Sequence, residues 1–114
     1  MDECIFCRIV KGEIPSDKVY EDDKILVFRD IRPQAPVHFL VIPKKHISSI
    51  SDMTDADVPL VGQMVNIATR MAVAAGVADK GYRLVTNSGK EGGQVVGHLH
   101  WHILGGRQLS PDLG

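Results

Sequence analysis

Short runs of apolar residues lie on both sides of one longer segment in which apolar residues recur with a helical period. Between Leu60 and Ala75 apolar residues recur at intervals of three or four, which predicts one long amphipathic helix that ends near Gly76. The residues just before this repeat begin with Thr54 and resemble a capping box, with Asp57 in the place of the usual glutamate. We expect the apolar stripe of this helix to cover one face of a sheet.

Shorter apolar runs bounded by turn residues predict the strands of that sheet. The predicted strands are 19–21, 25–30, 37–42, 82–86 and 95–104. A short helix is expected near the N-terminus, over residues 5–10, with a stop near Gly12 and Pro15. Because short turns connect the strands, the pattern favours an α+β fold with a mainly antiparallel sheet.

The last predicted strand carries three of the chain's five histidines, at every second position. In an extended strand, His98, His100 and His102 would share one face, with the intervening apolar residues on the other. Neutral imidazole is a good nucleophile at neutral pH, and a neighbouring imidazole can donate a hydrogen bond or protonate a leaving group. The glycine-rich segment 88–94 could bring backbone N–H groups close to a phosphate. A metal-binding or merely polar strand face is the alternative.

Two cysteines, Cys4 and Cys7, have the spacing C-x-x-C. In a protein without signs of secretion such a pair indicates a metal site or a redox motif more than a structural disulfide. The redox interpretation is disfavoured, because the pair does not follow a strand of a βαβ unit. With two histidines, of which His46 and His98 are candidates, the cysteines could form a tetrahedral zinc site. Two reduced thiols that face a small core are the other possibility.

Composition limits the function further. A chain of 114 residues is expected to form one domain, residues 1–114, and its net charge of -1 comes without any basic block. Nucleic-acid binding and membrane insertion therefore receive no support, and we expect a cytoplasmic protein. A carboxylate at the end of a strand, Asp30, could accept hydrogen bonds from a ribose diol or could simply be a solvated loop residue.

These segments together resemble the histidine-triad (HIT) family, and within it the Hint branch of purine nucleoside phosphoramidate hydrolases. The triad motif, His-x-His-x-His followed by two apolar residues, is matched in full by 98–104. Further similar segments run along nearly the whole chain: 30–36, 38–47, 81–83, Asn87, 92–94 and 104–107.

The resemblance implies a HIT-like fold: a five-stranded antiparallel sheet with one long and one short helix. It also implies a homodimer whose sheets join into ten strands. His100 would attack the α-phosphorus of a purine nucleotide conjugate and form a nucleotidyl-histidine that water hydrolyses. His102 would contact phosphate oxygens and assist the leaving group, and His38 would support the triad.

The resemblance also assigns the remaining site residues. Asp30 would hold the ribose hydroxyls. The apolar purine pocket would consist of Ile5, Phe6, Ile9, Phe28, Ile31 and Leu40. The phosphate end would be lined by Asn87, Gly93, Gln94 and Val95. The ligands of a structural zinc ion would be Cys4, Cys7, His46 and His98.

Three departures from relatives bear on the substrate. Val95 stands where a phosphate-binding serine is frequent, Gly97 replaces a common tyrosine, and the tail after Arg107 is short. The preferred leaving group is therefore left open. A dinucleoside polyphosphate hydrolase, and a nucleotide- or zinc-binding regulator with little catalysis, are the alternative functions.

Overall fold

The described part of the chain, residues 4–114 of a computed structural model, contains two α-helices and five strands. The helices are α1 (Ile5–Val10) and α2 (Val58–Ala74). The strands are β1 (Lys18–Glu21), β2 (Ile25–Arg29), β3 (Val37–Pro43), β4 (Tyr82–Val85) and β5 (Trp101–Gly105). No helix within residues 4–114 is both long and apolar enough to cross a membrane.

All five strands form one antiparallel sheet in the order β1-β2-β3-β5-β4. The α+β prediction, the strand count and both helices are thus confirmed. Strand β5 lies between β3 and β4, and His102 pairs with Leu40 on one side and Val85 on the other. The last histidine of the triad is therefore held by rigid backbone on both flanks.

Each face of the sheet is covered by one helix, because the strand side chains alternate between the two faces. On β3, Phe39 and Val41 belong to the cluster beneath α2, while Leu40 and Ile42 belong to the cluster beneath α1. The α2 side holds the main core, which includes Met64, Ile67, Ala68, Leu99 and Ile103. The apolar stripe predicted for the long helix is the face that this core buries.

The start of the long helix also follows the sequence pattern. The capping box is present, with the backbone N–H of Thr54 donating to Asp57 at 2.9 Å. It opens a 3-10 turn (Asp55–Asp57), after which α2 begins at Val58. The Asp57 carboxylate also pairs with Lys45 at 2.5 Å, so the helix start is tied to the turn after β3.

The fifth strand is shorter than the predicted 95–104, and this part of the prediction is wrong: β5 begins at Trp101. The pairing of β5 with β3 stops at Val41 with Trp101, two residues before Pro43, which has no N–H to donate. The Pro43 carbonyl instead accepts from the His98 ring at 2.8 Å. The chain before Trp101 is thus held mainly by contacts other than a β ladder.

The prediction that the histidines lie on one side of the sheet and the intervening apolar residues on the other is still correct. The rings of His98 and His100 lie against Phe6 of α1, with centroids 5.8 and 5.2 Å apart. Leu99 and Ile103 lie in the core beneath α2. The histidines therefore share one side of the sheet although the first two are outside β5.

Candidate functional site

Two imidazoles from neighbouring strands meet directly on the α1 side of the sheet. Nε2 of His38 on β3 lies 2.9 Å from Nδ1 of His102 on β5. The other nitrogen of His38, Nδ1, accepts the backbone N–H of Gln34 at 3.0 Å. Since Nδ1 of neutral His38 is an acceptor, its proton is on Nε2 and is donated to Nδ1 of His102. By the same rule, neutral His102 carries its own proton on Nε2.

The electrostatics of this pair favour neutral rings at pH 7. Burial lowers the pKa of His102 to about 4, and the neighbouring His100 and His38 rings act in the same direction. Burial also lowers the pKa of His38, while the charge of Asp30 opposes that shift. One carboxylate oxygen of Asp30 lies 3.4 Å from Nε2 of His38, and the other accepts the N–H of Arg32 at 2.8 Å.

The middle histidine of the triad is also fixed in one tautomer. Nδ1 of His100 lies 2.7 Å from the carbonyl oxygen of His98, and a carbonyl can only accept, so the proton is on Nδ1. Neutral His100 therefore has a free lone pair on Nε2. The ring is buried between Phe6 and His102, with centroid separations of 5.2 and 5.0 Å. A buried, oriented imidazole with a free lone pair is suited to nucleophilic attack.

A second group of side chains converges beside the triad. The sulfur atoms of Cys4 and Cys7 and the Nδ1 atoms of His46 and His98 all lie within 4.8 Å of one another. Cys4 is the N-cap of α1, His46 follows the end of β3, and His98 precedes β5. Three segments distant in sequence thus meet at one point, and the four residues are positioned to bind a metal ion.

The donor set fits the zinc ion expected from the sequence. Tetrahedral bonds of about 2.0–2.3 Å put neighbouring nitrogen and sulfur ligands roughly 3.3–3.8 Å apart. Here His98 Nδ1 lies 3.2 Å from Cys4 Sγ, 3.6 Å from Cys7 Sγ and 3.2 Å from His46 Nδ1. The bond from Nε2–H of His98 to the Pro43 carbonyl leaves Nδ1 unprotonated, as a metal ligand requires.

The apolar residues expected in a purine pocket are only partly brought together. The buried cluster beneath α1 includes four of them: Phe6, Ile9, Phe28 and Leu40. Within it the rings of Phe6 and Phe28 meet edge to face at 5.6 Å. In contrast, Ile31 lies in the loop after Asp30 and is 92% exposed, and Ile5 is 46% exposed. The first four form a wall, and the other two are exposed apolar side chains outside this cluster.

The segment expected at the phosphate end is a loop between β4 and the triad. Asn87 is half-buried at its start, Gly93 has the positive φ of 82° that a tight turn needs, and Val95 is 92% exposed. The Gln94 amide group is occupied within the protein. Its oxygen accepts the N–H of Gly89 at 2.9 Å, and its nitrogen donates to the Ser48 and Val96 carbonyls at 2.7 and 2.9 Å. Gln94 therefore shapes this loop.

Several groups that orient the histidines were not found from the sequence. They are backbone atoms of Gln34, Pro43 and His98, and the hydroxyl of Thr86, which donates to the His100 carbonyl at 2.7 Å. A main-chain atom has no signature in the residue type. The two prolines around Gln34, which restrict the loop 32–36, were the one indirect signal.

Comparison with known proteins gives a consistent result along the whole chain. The model of the HIT domain family matches residues 11–109. A purine nucleoside phosphoramidase of Escherichia coli (strain K12) is 46% identical over 112 residues, which cover 98% of this chain and 94% of that protein.

Solved structures agree with the sequence comparison. A HIT family hydrolase from Legionella pneumophila Philadelphia 1 superposes with a TM-score of 0.96 at 52% identity, covering 98% of this chain and 100% of its own. A histidine triad protein from Clostridium difficile has a TM-score of 0.94 at 47% identity, covering 99% and 97%. The chain, which carries the complete His-x-His-x-His motif at 98–102, belongs to the HIT family.

Proposed function

We propose that this protein hydrolyses purine nucleoside 5′-phosphoramidates and related nucleoside monophosphate conjugates through a nucleotidyl-histidine intermediate. The observation that carries this proposal is the tautomer of His100, whose Nδ1–H is held by the His98 carbonyl so that Nε2 has a free lone pair. The Escherichia coli relative is a purine nucleoside phosphoramidase, and its identity of 46% extends over nearly the full length of both chains.

The first chemical step uses the free nitrogen of His100. Nε2 forms a bond to the α-phosphorus while the bond from phosphorus to the departing nitrogen breaks, and the amine leaves with one added proton that is taken from solvent. In the second step water adds to phosphorus, the bond to Nε2 breaks, and the same number of protons is released. One water is consumed overall, and His100 returns to its starting tautomer.

The neighbouring imidazole assists the departing group. Because His38 donates to Nδ1 of His102, the Nε2–H of His102 is available to a phosphate oxygen or to the departing nitrogen. The His100 ring becomes positively charged when its Nε2 bonds to phosphorus. Because His102 is neutral, it does not repel that charge. Asp30 would accept the ribose hydroxyls, since each carboxylate oxygen can take more than one hydrogen bond.

The rest of the substrate would lie along the α1 side of the sheet. We assign the purine to the wall formed by Phe6, Ile9, Phe28 and Leu40, with Ile31 closing over it from the exposed loop. The phosphate group would lie near Asn87, Gly93 and the backbone of Val95, in the loop that Gln94 organises. A backbone N–H would serve there in the place of a serine hydroxyl.

The metal held by Cys4, Cys7, His46 and His98 is proposed to be zinc in a structural role. All four positions are filled by side chains, so no position is left open for a water or substrate. When bound, the ion would cross-link α1, the end of β3 and the segment before β5. It would thereby fix α1 and the segment before β5, which surround His100 outside the sheet.

We also propose a homodimer in which β4 pairs with its copy to give a ten-stranded sheet. The two edge strands differ in a way that favours β4. Edge strand β1 has an irregular register between Lys18 and Tyr20 and carries exposed charges at Lys18 and Glu21, features that oppose further pairing. Strand β4 is regular and half-buried throughout. Sedimentation velocity would test this, with a monomer as the contrary result.

The central test is a single-turnover reaction with adenosine 5′-phosphoramidate, quenched and examined by intact-protein mass spectrometry. Wild type should gain one nucleotidyl group and release AMP, and His100→Ala should do neither. AMP release that persists in His100→Ala would refute the mechanism. Nucleotide binding without adduct or AMP in wild type would favour a regulatory protein, and faster turnover of diadenosine polyphosphates would favour that substrate class.

A further inference from the structure

Strand pairing ends just short of the proposed nucleophile. The last register pair between β4 and β5 is Val85 with His102, and β5 itself begins at Trp101. His100 is therefore outside the ladder, although its ring is buried and must be held in one position for in-line attack. Positional errors near 1 Å can reduce a reaction rate about a hundredfold, so the anchoring of this residue matters for catalysis.

One side chain replaces the missing backbone pairing. The hydroxyl of Thr86, the residue that follows β4, donates to the carbonyl oxygen of His100 at 2.7 Å. The bond is partly buried and joins residues 14 positions apart in sequence. A carbonyl in such surroundings needs a donor, and a hydroxyl sheltered from water is a stronger anchor than one in solvent.

We propose that Thr86 is a positioning residue for the nucleophile. Its hydroxyl adds one hydrogen bond beyond the end of the β4–β5 ladder and thereby fixes the main chain at His100. This inference rests on the proposed function of His100. The ring is then fixed at two places, by the His98 carbonyl at Nδ1 and by Thr86 through the backbone. The remaining nitrogen, Nε2, is aimed at the phosphorus by both bonds together.

The test replaces the hydroxyl by a methyl group of similar size in Thr86→Val. We expect the single-turnover rate constant for nucleotidylation of His100 to fall about tenfold, with KM changed less than about twofold. Thr86→Ser keeps the hydroxyl and should restore the rate to within about threefold of wild type. All rates are measured well below the unfolding temperature of each variant.

The chain offers a matched control in helix α2. Thr69 also donates its hydroxyl to a backbone carbonyl at 2.7 Å, that of Asn66, on the exposed side of the helix. Thr69→Val should leave the rate of nucleotidylation unchanged.

Two results would overturn the inference. One is a wild-type rate in Thr86→Val, and the other is a Thr86→Ser variant as slow as Thr86→Val, which would assign the effect to packing of the methyl group. If wild type itself forms no adduct, the proposed function fails instead, so the two failures are distinguishable.

Discussion

Two pairs of histidines in this protein have similar nitrogen separations but differ in how their rings are oriented toward each other. In His38 and His102, which we name the relay pair for their direct hydrogen bond, the nitrogens are 2.9 Å apart and the ring centroids 5.2 Å apart. In the metal pair, His46 and His98, the nitrogens are farther apart, at 3.2 Å, yet the centroids are closer, at 4.9 Å. The first rings therefore meet more nearly end to end, and the second meet at an angle.

This difference separates a hydrogen-bonded pair from a pair that is positioned to bind a metal ion. Rings that meet end to end direct a lone pair and an N–H at each other, as a hydrogen bond requires. The His46 and His98 rings, whose planes are at 89°, have their Nδ1 atoms beside both cysteine sulfurs, and all four ligand atoms lie within 4.8 Å of one another. Asp30, His38 and His102 also lie within 4.8 Å of one another, so proximity of ligand atoms alone would assign a metal to both groups.

The largest expected effect comes from replacing the relay ring. His102→Gln leaves an amide N–H but removes the imidazole whose Nε2–H is oriented by His38 toward the departing nitrogen, and we expect kcat with adenosine 5′-phosphoramidate to fall on the order of 10²–10⁴-fold. The metal content, measured by plasma mass spectrometry, should remain that of wild type. If His102→Gln loses the metal, the division between the two pairs is wrong.

The same substitution in the other pair should have the reverse effect. His46→Gln removes one of four metal ligands while the relay and His100 keep their partners, and we expect the metal affinity to drop on the order of 100-fold or more. The unfolding temperature should fall with it, because three segments lose their cross-link. We expect kcat to decrease much less than in His102→Gln. Loss of turnover equal to that of His102→Gln, with the metal still bound, would contradict the comparison.

The smallest expected effect is a pH dependence of the free energy of unfolding that arises from the titration of His102. The pKa of His102 is lowered to about 4 by burial, against about 6.5 in an unfolded chain, so the unfolded state binds more protons between these values. Stability is thus greatest above about pH 6.5 and declines as the pH falls toward 4.

Thermal unfolding of wild type and His102→Gln between pH 7 and pH 4 measures this contribution. The variant should lose less stability than wild type over this range, by a few degrees in the unfolding temperature. The metal ligands are the same in both proteins, so their titration is shared by the two curves, and the difference between the curves reports on His102 together with its hydrogen-bond partner His38. Parallel curves would mean that His102 is not a buried neutral ring in the folded state.

Much of the fold was predictable from local pattern. The helical repeat behind Thr54, the capping box and the apolar run of β3 each specify an element with little help from distant residues. The prediction was wrong where local pattern and tertiary contacts disagree. The alternation in 95–104 is that of a strand, but Pro43 offers no N–H, so the ladder ends at Trp101 and ring contacts take over.

The candidate site divides in the same way. The residue types and spacings of the triad and of C-x-x-C, with the family resemblance, predicted which side chains would carry the chemistry. They did not indicate the tautomers, because these depend on the backbone atoms of Gln34, Pro43 and His98. Nor did they indicate that the Gln94 amide is occupied within its loop.

The sequence by itself therefore determined the elements other than the start of β5, the two faces of the sheet and the candidate reactive groups, since these follow from periodicity and side-chain chemistry. The tertiary structure decided which role each imidazole is placed to take. Whether a ring binds a metal, donates a proton or attacks phosphorus depends on which nitrogen carries the hydrogen and where the lone pair points. Hydrogen bonds from distant parts of the chain fix the hydrogen, and the packing of the ring fixes the direction.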